Sequence, residues 1–564
     1  MAPLNARPAA ALAVFLLGVS FALARPAAAA DEATKALAAK CASILESSFP
    51  ADAPGAAAIV KKDGRVVYRG ARGLADVELS VPLSADHVFE IGSITKQFTA
   101  AAILLLEEEG KLAVSDPITK FLPDYPTGGK TITIEHLLNH TSGIRSYTDI
   151  PGWMVTKVRE DLTVEALIDG FKNEPMDFAP GERWSYNNSG YVLLGAIIEK
   201  AAGSTYEDFV EKRFFGPLGM KDSRYGRNEE IVPRRARGYD PAPGGIANAR
   251  YLSMTQPYAA GALLSTVDDL AIWNEALEAG KVVSKASLAR METPGSLASG
   301  EKLEYGFGLQ AGKLRDRRTV EHGGGIFGFV THAMRVPDDG VFVAVLSNTT
   351  AVTAPPSVVA TRLAAAAIGR PFPDAIEAKV APEALAKCAG TYAVGPNEKR
   401  VVTLEDGRLR TQRTGAPKLE LVPSSETSFF YRNSLTRVEF VPDESGRVTH
   451  MLVYQNGADE PERSERTGDP PAPRKKAVLD AAALEKCVGR YELGPGFILA
   501  VTREGDGLVA QATGQRALPL EPESATLFHA DAVGAEIEFV MEGAAATALI
   551  LRQGGGTMRA KRLP

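Results

Sequence analysis

Between Asp31 and about Gly369 the apolar positions follow two different periods. Short apolar runs, Ala57–Val60 and Val66–Tyr68, flank Lys62-Asp63-Gly64-Arg65, which predicts a hairpin with glycine in the left-handed turn position. The spacing then changes to three and four. Ile94, Phe98, Ala101 and Leu105 predict a helix that stops near Gly110, and Tyr191–Ala202 and Val267–Leu277 predict two more. Two strands follow late in this region, Phe329–Val336 and Val341–Ser347, joined through Pro337-Asp338-Asp339-Gly340. A hairpin at each end with helices between predicts an α+β domain over residues 31–370, one antiparallel sheet flanked by helices.

Beyond Gly369 the helical spacing fades and the chain repeats itself. Leu385, Lys387, Cys388, Gly390, Tyr392, Gly395 and Pro396 recur as Leu484, Lys486, Cys487, Gly489, Tyr491, Gly494 and Pro495, an offset of 99. Phe429, Glu439, Phe440 and Val441 recur as Phe528, Glu538, Phe539 and Val540 at the same offset. Each copy alternates β-rich runs with glycine turns, which predicts two small antiparallel β-barrel domains, residues 371–475 and 476–564. The Pro- and charge-rich stretch Glu460–Lys476 reads as the linker between them.

The first 30 residues have a different texture. Arg7 precedes an apolar stretch from Ala9 to Ala24, and small residues follow at Ala27–Ala30. That layout predicts a signal peptide over residues 1–30, cut near Ala30–Asp31, and a periplasmic or secreted protein. The apolar run is short of the roughly 20 residues that span a bilayer, so no stable membrane insertion is expected after cleavage. The 564-residue chain carries a net charge of −6 with no basic runs, which argues against nucleic acid as a partner. Its three cysteines, Cys41, Cys388 and Cys487, are too few and odd in number for a disulfide framework and read as buried small hydrophobes. The seven histidines form no close group with cysteine; His136 and His140 are four apart but lack a suitably placed Glu, so no metal and no cofactor are expected.

Three short motifs carry candidate chemistry. Gly92-Ser93-Ile94-Thr95-Lys96 places a hydroxyl and an amine three apart at a predicted helix start, where they face the same way. A neutral lysine there can take the serine proton and make a nucleophile, provided desolvation or a cationic neighbour lowers its pKa. The pattern is cheap: Ser299-Gly300-Glu301-Lys302 repeats it in a stretch without helical periodicity, and Ser93 with a surface lysine is also how an ordinary helix cap looks. Trp184-Ser185-Tyr186-Asn187-Asn188 precedes the second helix; Tyr186 suits a shared base and Asn188 a hydrogen bond to a substrate amide. Tyr431-Arg432-Asn433 and Tyr454-Gln455-Asn456 match that triplet inside the first repeat, where a strand aromatic and a turn Asn explain them. Glu321-His322-Gly323-Gly324-Gly325 leads into a strand whose bare edge suits a substrate backbone, and a free N–H there pairs with that of Ser93 as an oxyanion hole.

The order Ser93-x-x-Lys96, Tyr186-x-Asn188, His322-x-Gly324 resembles the serine β-lactamase and penicillin-binding DD-peptidase superfamily, whose third motif is usually Lys-Thr-Gly. A histidine in that place resembles the branch of class C β-lactamases, DD-carboxypeptidases, D-aminopeptidases and related esterases. Leu137-Leu138-Asn139-His140-Thr141-Ser142-Gly143-Ile144 and Gly261-Ala262-Leu263-Leu264-Ser265-Thr266 match it too. The resemblance implies a β-lactamase/transpeptidase-like fold and an acyl-enzyme on Ser93, with Lys96 and Tyr186 moving protons. It implies that Asn188, His322, Gly324 and Gly325 bind substrate, a small molecule or short peptide. A neutral histidine weakens the anchoring of a substrate carboxylate, which favours aminopeptidase or esterase activity over β-lactamase or carboxypeptidase activity. A catalytic domain followed by two barrels is similar to the D-aminopeptidase architecture. The alternative reading is a non-catalytic protein that binds β-lactams or cell-wall fragments.

Overall fold

A computed structural model describes residues 15–564 except 353, 397, 473–475, 495–496, 514, 516, 544 and 555, with side chains from Asp31 onward. Of the expected leader, residues 1–14 lie outside the described residues, and the backbone from Phe15 to Ser48 is one helix, α1. The chain divides into two compact units, Met1–Phe372 and Pro373–Pro564. The expected barrel boundary at 475/476 adjoins residues 473–475, outside the described residues.

The first unit is built on six antiparallel strands: β1 (Ala56–Lys62), β2 (Arg65–Arg72), β3 (Gln310–Leu314), β4 (Arg317–Ile326), β5 (Phe329–Val336) and β6 (Val341–Ser347). Their order across the sheet is β3-β4-β5-β6-β1-β2, so the two predicted hairpins meet where β6 pairs with β1. Gly64, at φ +73°, closes the β1–β2 turn. Helices cover both faces. Ala56, Ala58, Val60, Val343 and Val345 pack on α1, through Ile44 and Leu45, and on a C-terminal helix, Pro356–Ala367, through Val359 and Leu363. The other face, with Ala57, Ile59, Ala344 and Leu346, joins the large core around α2 (Thr95–Glu108). Burial on both faces is why β6 reads Val-Phe-Val-Ala-Val-Leu-Ser without alternation, every residue buried.

The second unit contains two closed barrels of eight antiparallel strands, from Gly390–Gly395 to Glu462–Gly468 and from Gly489–Gly494 to Gly556–Arg562. Repeat positions occupy equivalent sites: Tyr392 and Tyr491 each donate to the carbonyl of a preceding cysteine, Cys388 and Cys487, at 2.8 Å. Burial pushes the Cys41 and Cys388 thiols up to about 12 and that of Cys487 up to about 11. One sequence expectation is corrected here. Glu462–Gly468, assigned to the linker, is the strand that closes the first barrel against Gly390–Gly395. Its exposed positions are Arg463, Glu465 and Thr467 and its buried inward residue is Ser464, so the strand lacks the apolar alternation that reveals the others.

Candidate active site

The chain reverses just before Ser93 and then enters a helix. Gly92 takes φ +52°, a conformation side chains resist, and Gly92–Ile94 form one 3-10 turn that continues into α2. The predicted helix start is therefore correct in place, with its first turn tighter than α. Two contacts fix the turn: Thr331 of β5 donates to the Ile91 carbonyl at 2.8 Å, and the Leu263 N–H donates to Thr95 Oγ1 at 3.2 Å.

Lys96, one turn on, is fully buried. Its Nζ lies 3.1 Å from Ser93 Oγ, 2.8 Å from Asn188 Oδ1 and 2.8 Å from the Ala260 carbonyl. Burial holds its pKa well below the ordinary lysine value. The hydrogen-bond inventory of the neutral amine then assigns each partner. In the neutral form two carbonyl oxygens would accept its two N–H groups, which would leave the lone pair for the Ser93 hydroxyl. An ordinary capping serine with a surface lysine is excluded, because this lysine has no surface. The second Ser-x-x-Lys differs on that point: Ser299 and Lys302 are exposed, and Lys302 binds Ser296 instead.

Tyr186 and Asn188 arrive on the opposite wall. Asn187 caps the helix Asn188–Ala202 by accepting from the Gly190 N–H, which places Asn188 at its first position. The Tyr186 ring centre is 4.7 Å from Lys96 Nζ, and burial raises its pKa above the ordinary phenol value. Asn188 Nδ2 donates to Thr148 Oγ1 at 3.3 Å. The segment 139–148 supports this loop from behind: Asn187 N–H donates to His140 Nδ1 at 3.1 Å and Asn188 N–H to Ser146 Oγ at 3.2 Å.

His322, Gly323, Gly324 and Gly325 lie on β4. β3 pairs with β4 only as far as Glu321, so past that point the outer edge of β4 has no strand neighbour among the described residues. Gly324 is buried against the Ser93 turn: a Cβ there would lie 2.0 Å from the Ile91 carbonyl oxygen. Gly325 is exposed, and a Cβ on it would meet nothing within 4 Å. A Cβ on Gly92 would be 2.9 Å from Gly325 N, so the two backbones are in direct apposition at the site.

His322 is buried, and both ring nitrogens are engaged by the protein. Nδ1 donates to the Gly323 carbonyl at 2.6 Å, which leaves Nε2 to accept from the Tyr305 hydroxyl at 2.8 Å. Burial pushes its pKa down to about 3. It carries no positive charge at neutral pH, and its nitrogens serve Tyr305 and the backbone. Because the unfolded chain takes up this proton near 6.5 and the folded one only near 3, stability is lost as pH falls across that window. His140, lowered in the same direction, adds to the slope. The unfolding midpoint of His322→Gln is accordingly expected to fall less steeply between pH 7 and 4 than that of the wild type.

Two residues at this site carry no sequence pattern that marks them. Tyr305, buried in a loop, partners His322, and His140 stacks within 4.4 Å of the Tyr186 ring and 4.6 Å of the Tyr305 ring. His140 entered the sequence reading through the family phrase and through its spacing from His136, neither of which marks this role, and Tyr305 did not enter it. His136 caps its own short helix, Ile134–Leu138, and no cluster of metal-ligating side chains occurs among the described residues.

Comparison with known proteins points to one family. The family model described as Beta-lactamase matches residues 44–368. "Penicillin-binding protein 4*" of Bacillus subtilis (strain 168) is 32% identical over 425 residues, covering 71% of this chain and 93% of that protein. A "D-aminopeptidase" of Gluconobacter oxydans (strain 621H) is 28% identical over 337 residues, covering 58% of this chain and 61% of that protein. The solved structure of the octameric penicillin-binding protein homologue from Pyrococcus abyssi matches with a TM-score of 0.52 and 29% identity, over 75% of this chain and 96% of that one. The chain belongs to the beta-lactamase family of serine hydrolases.

Proposed function

We propose that this protein is an exported serine hydrolase that cleaves small amides or short peptides, in the manner of a D-aminopeptidase, through an acyl-enzyme on Ser93. The observation that carries the reading is the buried amine of Lys96, held 2.8 Å from both Asn188 Oδ1 and the Ala260 carbonyl and 3.1 Å from Ser93 Oγ, so that its neutral form would turn its lone pair to the Ser93 hydroxyl. Lys96 accepts the hydroxyl proton as Ser93 Oγ bonds to the substrate carbonyl carbon. The N–H groups of Ser93 and Gly325 hold the negative oxygen. Collapse of the intermediate breaks the bond to the amine, which leaves with a proton relayed by Lys96 and Tyr186. A water then gives its proton to the same pair, attacks the ester and frees the acid. Asn188 and the open edge of β4 bind the substrate amide.

The preference for amino-terminal substrates rests on His322. With its nitrogens committed and its charge absent, the third motif offers no cation for a substrate carboxylate. Export is proposed from the leader pattern over residues 1–30. Cleavage after Ala30 leaves the part of α1 that packs through Cys41, Ile44 and Leu45. The secreted form is expected to begin at Asp31 by N-terminal mass spectrometry.

A panel of D- and L-aminoacyl amides, p-nitrophenyl esters and nitrocefin, with phosphonate labelling mapped by mass spectrometry, tests the activity. The expected outcome is label on Ser93 and fastest turnover of D-aminoacyl amides. Faster ester or nitrocefin turnover replaces the substrate class. Stable acylation by penicillin with no turnover of any compound replaces the enzyme with a binding protein. Because Lys96 acts as the neutral amine, kcat/KM is expected to decline as pH falls through its lowered pKa. That acid limb should persist in His322→Gln; its disappearance there would move the base assignment from Lys96 to His322.

A further inference from the structure

The internal repeat supplies a control for reading the first barrel. With the offset of 99, the strands Glu398–Glu405 and Arg408–Arg413 correspond to Phe497–Glu504 and Gly507–Ala512. In the second barrel Leu499, Ala510, Ala530 and Ala535 belong to the apolar core. Their counterparts in the first barrel are Arg400, Thr411, Tyr431 and Thr436, three of them buried and Tyr431 half-buried. Four core positions have thus exchanged hydrocarbon for polar groups in one copy only. They surround a cavity of about 520 Å³ whose wall also includes Leu419 and Pro417.

Arg400 is the unusual member. It is 6% exposed and on the same inward face as the core residue Val402. Its Nη1 donates to the Tyr431 hydroxyl at 3.2 Å, and its buried Nε has no partner among the described residues. The other charged groups of the wall are already matched: Arg413 by Glu398, Arg432 by Glu377 at 2.8 Å, and Glu420 by Arg408 at 3.1 Å. A guanidinium does not lose its proton, so Arg400, without an acidic partner among the described residues, brings a positive charge to a mixed cavity wall whose apolar part is Ala416, Pro417 and Leu419. The second barrel shows that a leucine, Leu499, serves the fold in its place.

We propose that the cavity of the first barrel is a binding site for a small organic monoanion, a carboxylate with an apolar body. The guanidinium of Arg400 is the anchor, with the Tyr431 hydroxyl beside it, and Leu419 and Pro417 receive the hydrocarbon. One unmatched cation suits one negative charge, and the planar fork of arginine suits a carboxylate. The cavity lies within the ordinary range for small-molecule sites. The proposal does not rest on the chemistry at Ser93 and stands whether or not that reading does.

The test is calorimetric titration of the full-length protein with 4-phenylbutyrate, with uncharged 4-phenylbutanol and with inorganic phosphate, alongside Arg400→Leu. The wild type is expected to show a carboxylate site that the alcohol does not fill and that is at least about tenfold weaker in Arg400→Leu. Arg400→Leu copies the second barrel, so its unfolding midpoint without ligand should equal or exceed that of the wild type, and 4-phenylbutyrate should raise the midpoint of the wild type alone. Equal binding by Arg400→Leu or by the alcohol overturns the proposal, as does no binding at all. Phosphate binding as tight as the carboxylate replaces it with an inorganic-anion site. A lowered midpoint in Arg400→Leu makes the guanidinium structural.

Discussion

Ser93→Ala is expected to fold like the wild type and to hydrolyse the best substrate of the panel about 10⁴-fold more slowly or worse. In the proposed mechanism the change removes the one atom that forms the acyl bond and little else. Lys96 keeps both of its buried acceptors, Asn188 Oδ1 and the Ala260 carbonyl, so no buried carbonyl oxygen loses its donor. Ser93 itself is partly exposed at the cleft, and loss of its hydroxyl opens no sizeable cavity. The check is kcat/KM with the unfolding midpoint measured on the same preparation. Full activity in a folded Ser93→Ala protein would sink the covalent mechanism, whereas equal loss of activity and midpoint would assign Ser93 a structural role.

Gly324→Ala is expected to cost both activity and stability although it adds one methyl group. Its Cβ would stand 2.0 Å from the Ile91 carbonyl oxygen and 2.3 Å from Thr331 Oγ1, two atoms joined to each other by the hydrogen bond that ties β5 to the Ser93 turn. Neither is the free end of a flexible chain, so β4 must move away from the turn. That movement separates the Gly325 N–H from Ser93, and misplacement of this kind costs about 10²-fold or more in kcat/KM. Overpacking adds roughly 1–3 kcal/mol of lost stability. Gly325→Ala is the contrasting variant, because its Cβ enters open space and the fold should tolerate it. Wild-type turnover by Gly324→Ala, with an unchanged midpoint, would show that the strand and the turn are not coupled.

Periodicity located the elements because packing on both sides of the sheet demands it. The hairpin strands Phe329–Val336 and Val341–Ser347 and the helix from Val267 end within a residue or so of the sequence reading. The repeat was legible for a related reason: two copies of one barrel need the same inward residues, so Tyr392 with Tyr491 and Phe440 with Phe539 kept their spacing. The closing strand Glu462–Gly468 was not legible, since its inward position is a serine and its outward face is charged. Tyr305 escaped notice, and the role of His140 beside Tyr186 was not legible, because their importance lies in contacts with His322 and Tyr186, far away along the chain.

The sequence by itself determined the class of fold, the doubled barrel and the short motifs of the site, each a local pattern of residue type and spacing. What it left open was the state of those residues. Ser-x-x-Lys occurs twice, and only the fold buries one lysine completely while leaving the other in water, which separates an amine with a lone pair from an ordinary surface cation. Likewise a histidine in the third motif is compatible with either charge until burial and the Tyr305 hydroxyl decide for the neutral ring. Desolvation depends on every neighbour at once, and no stretch of chain contains its own neighbours.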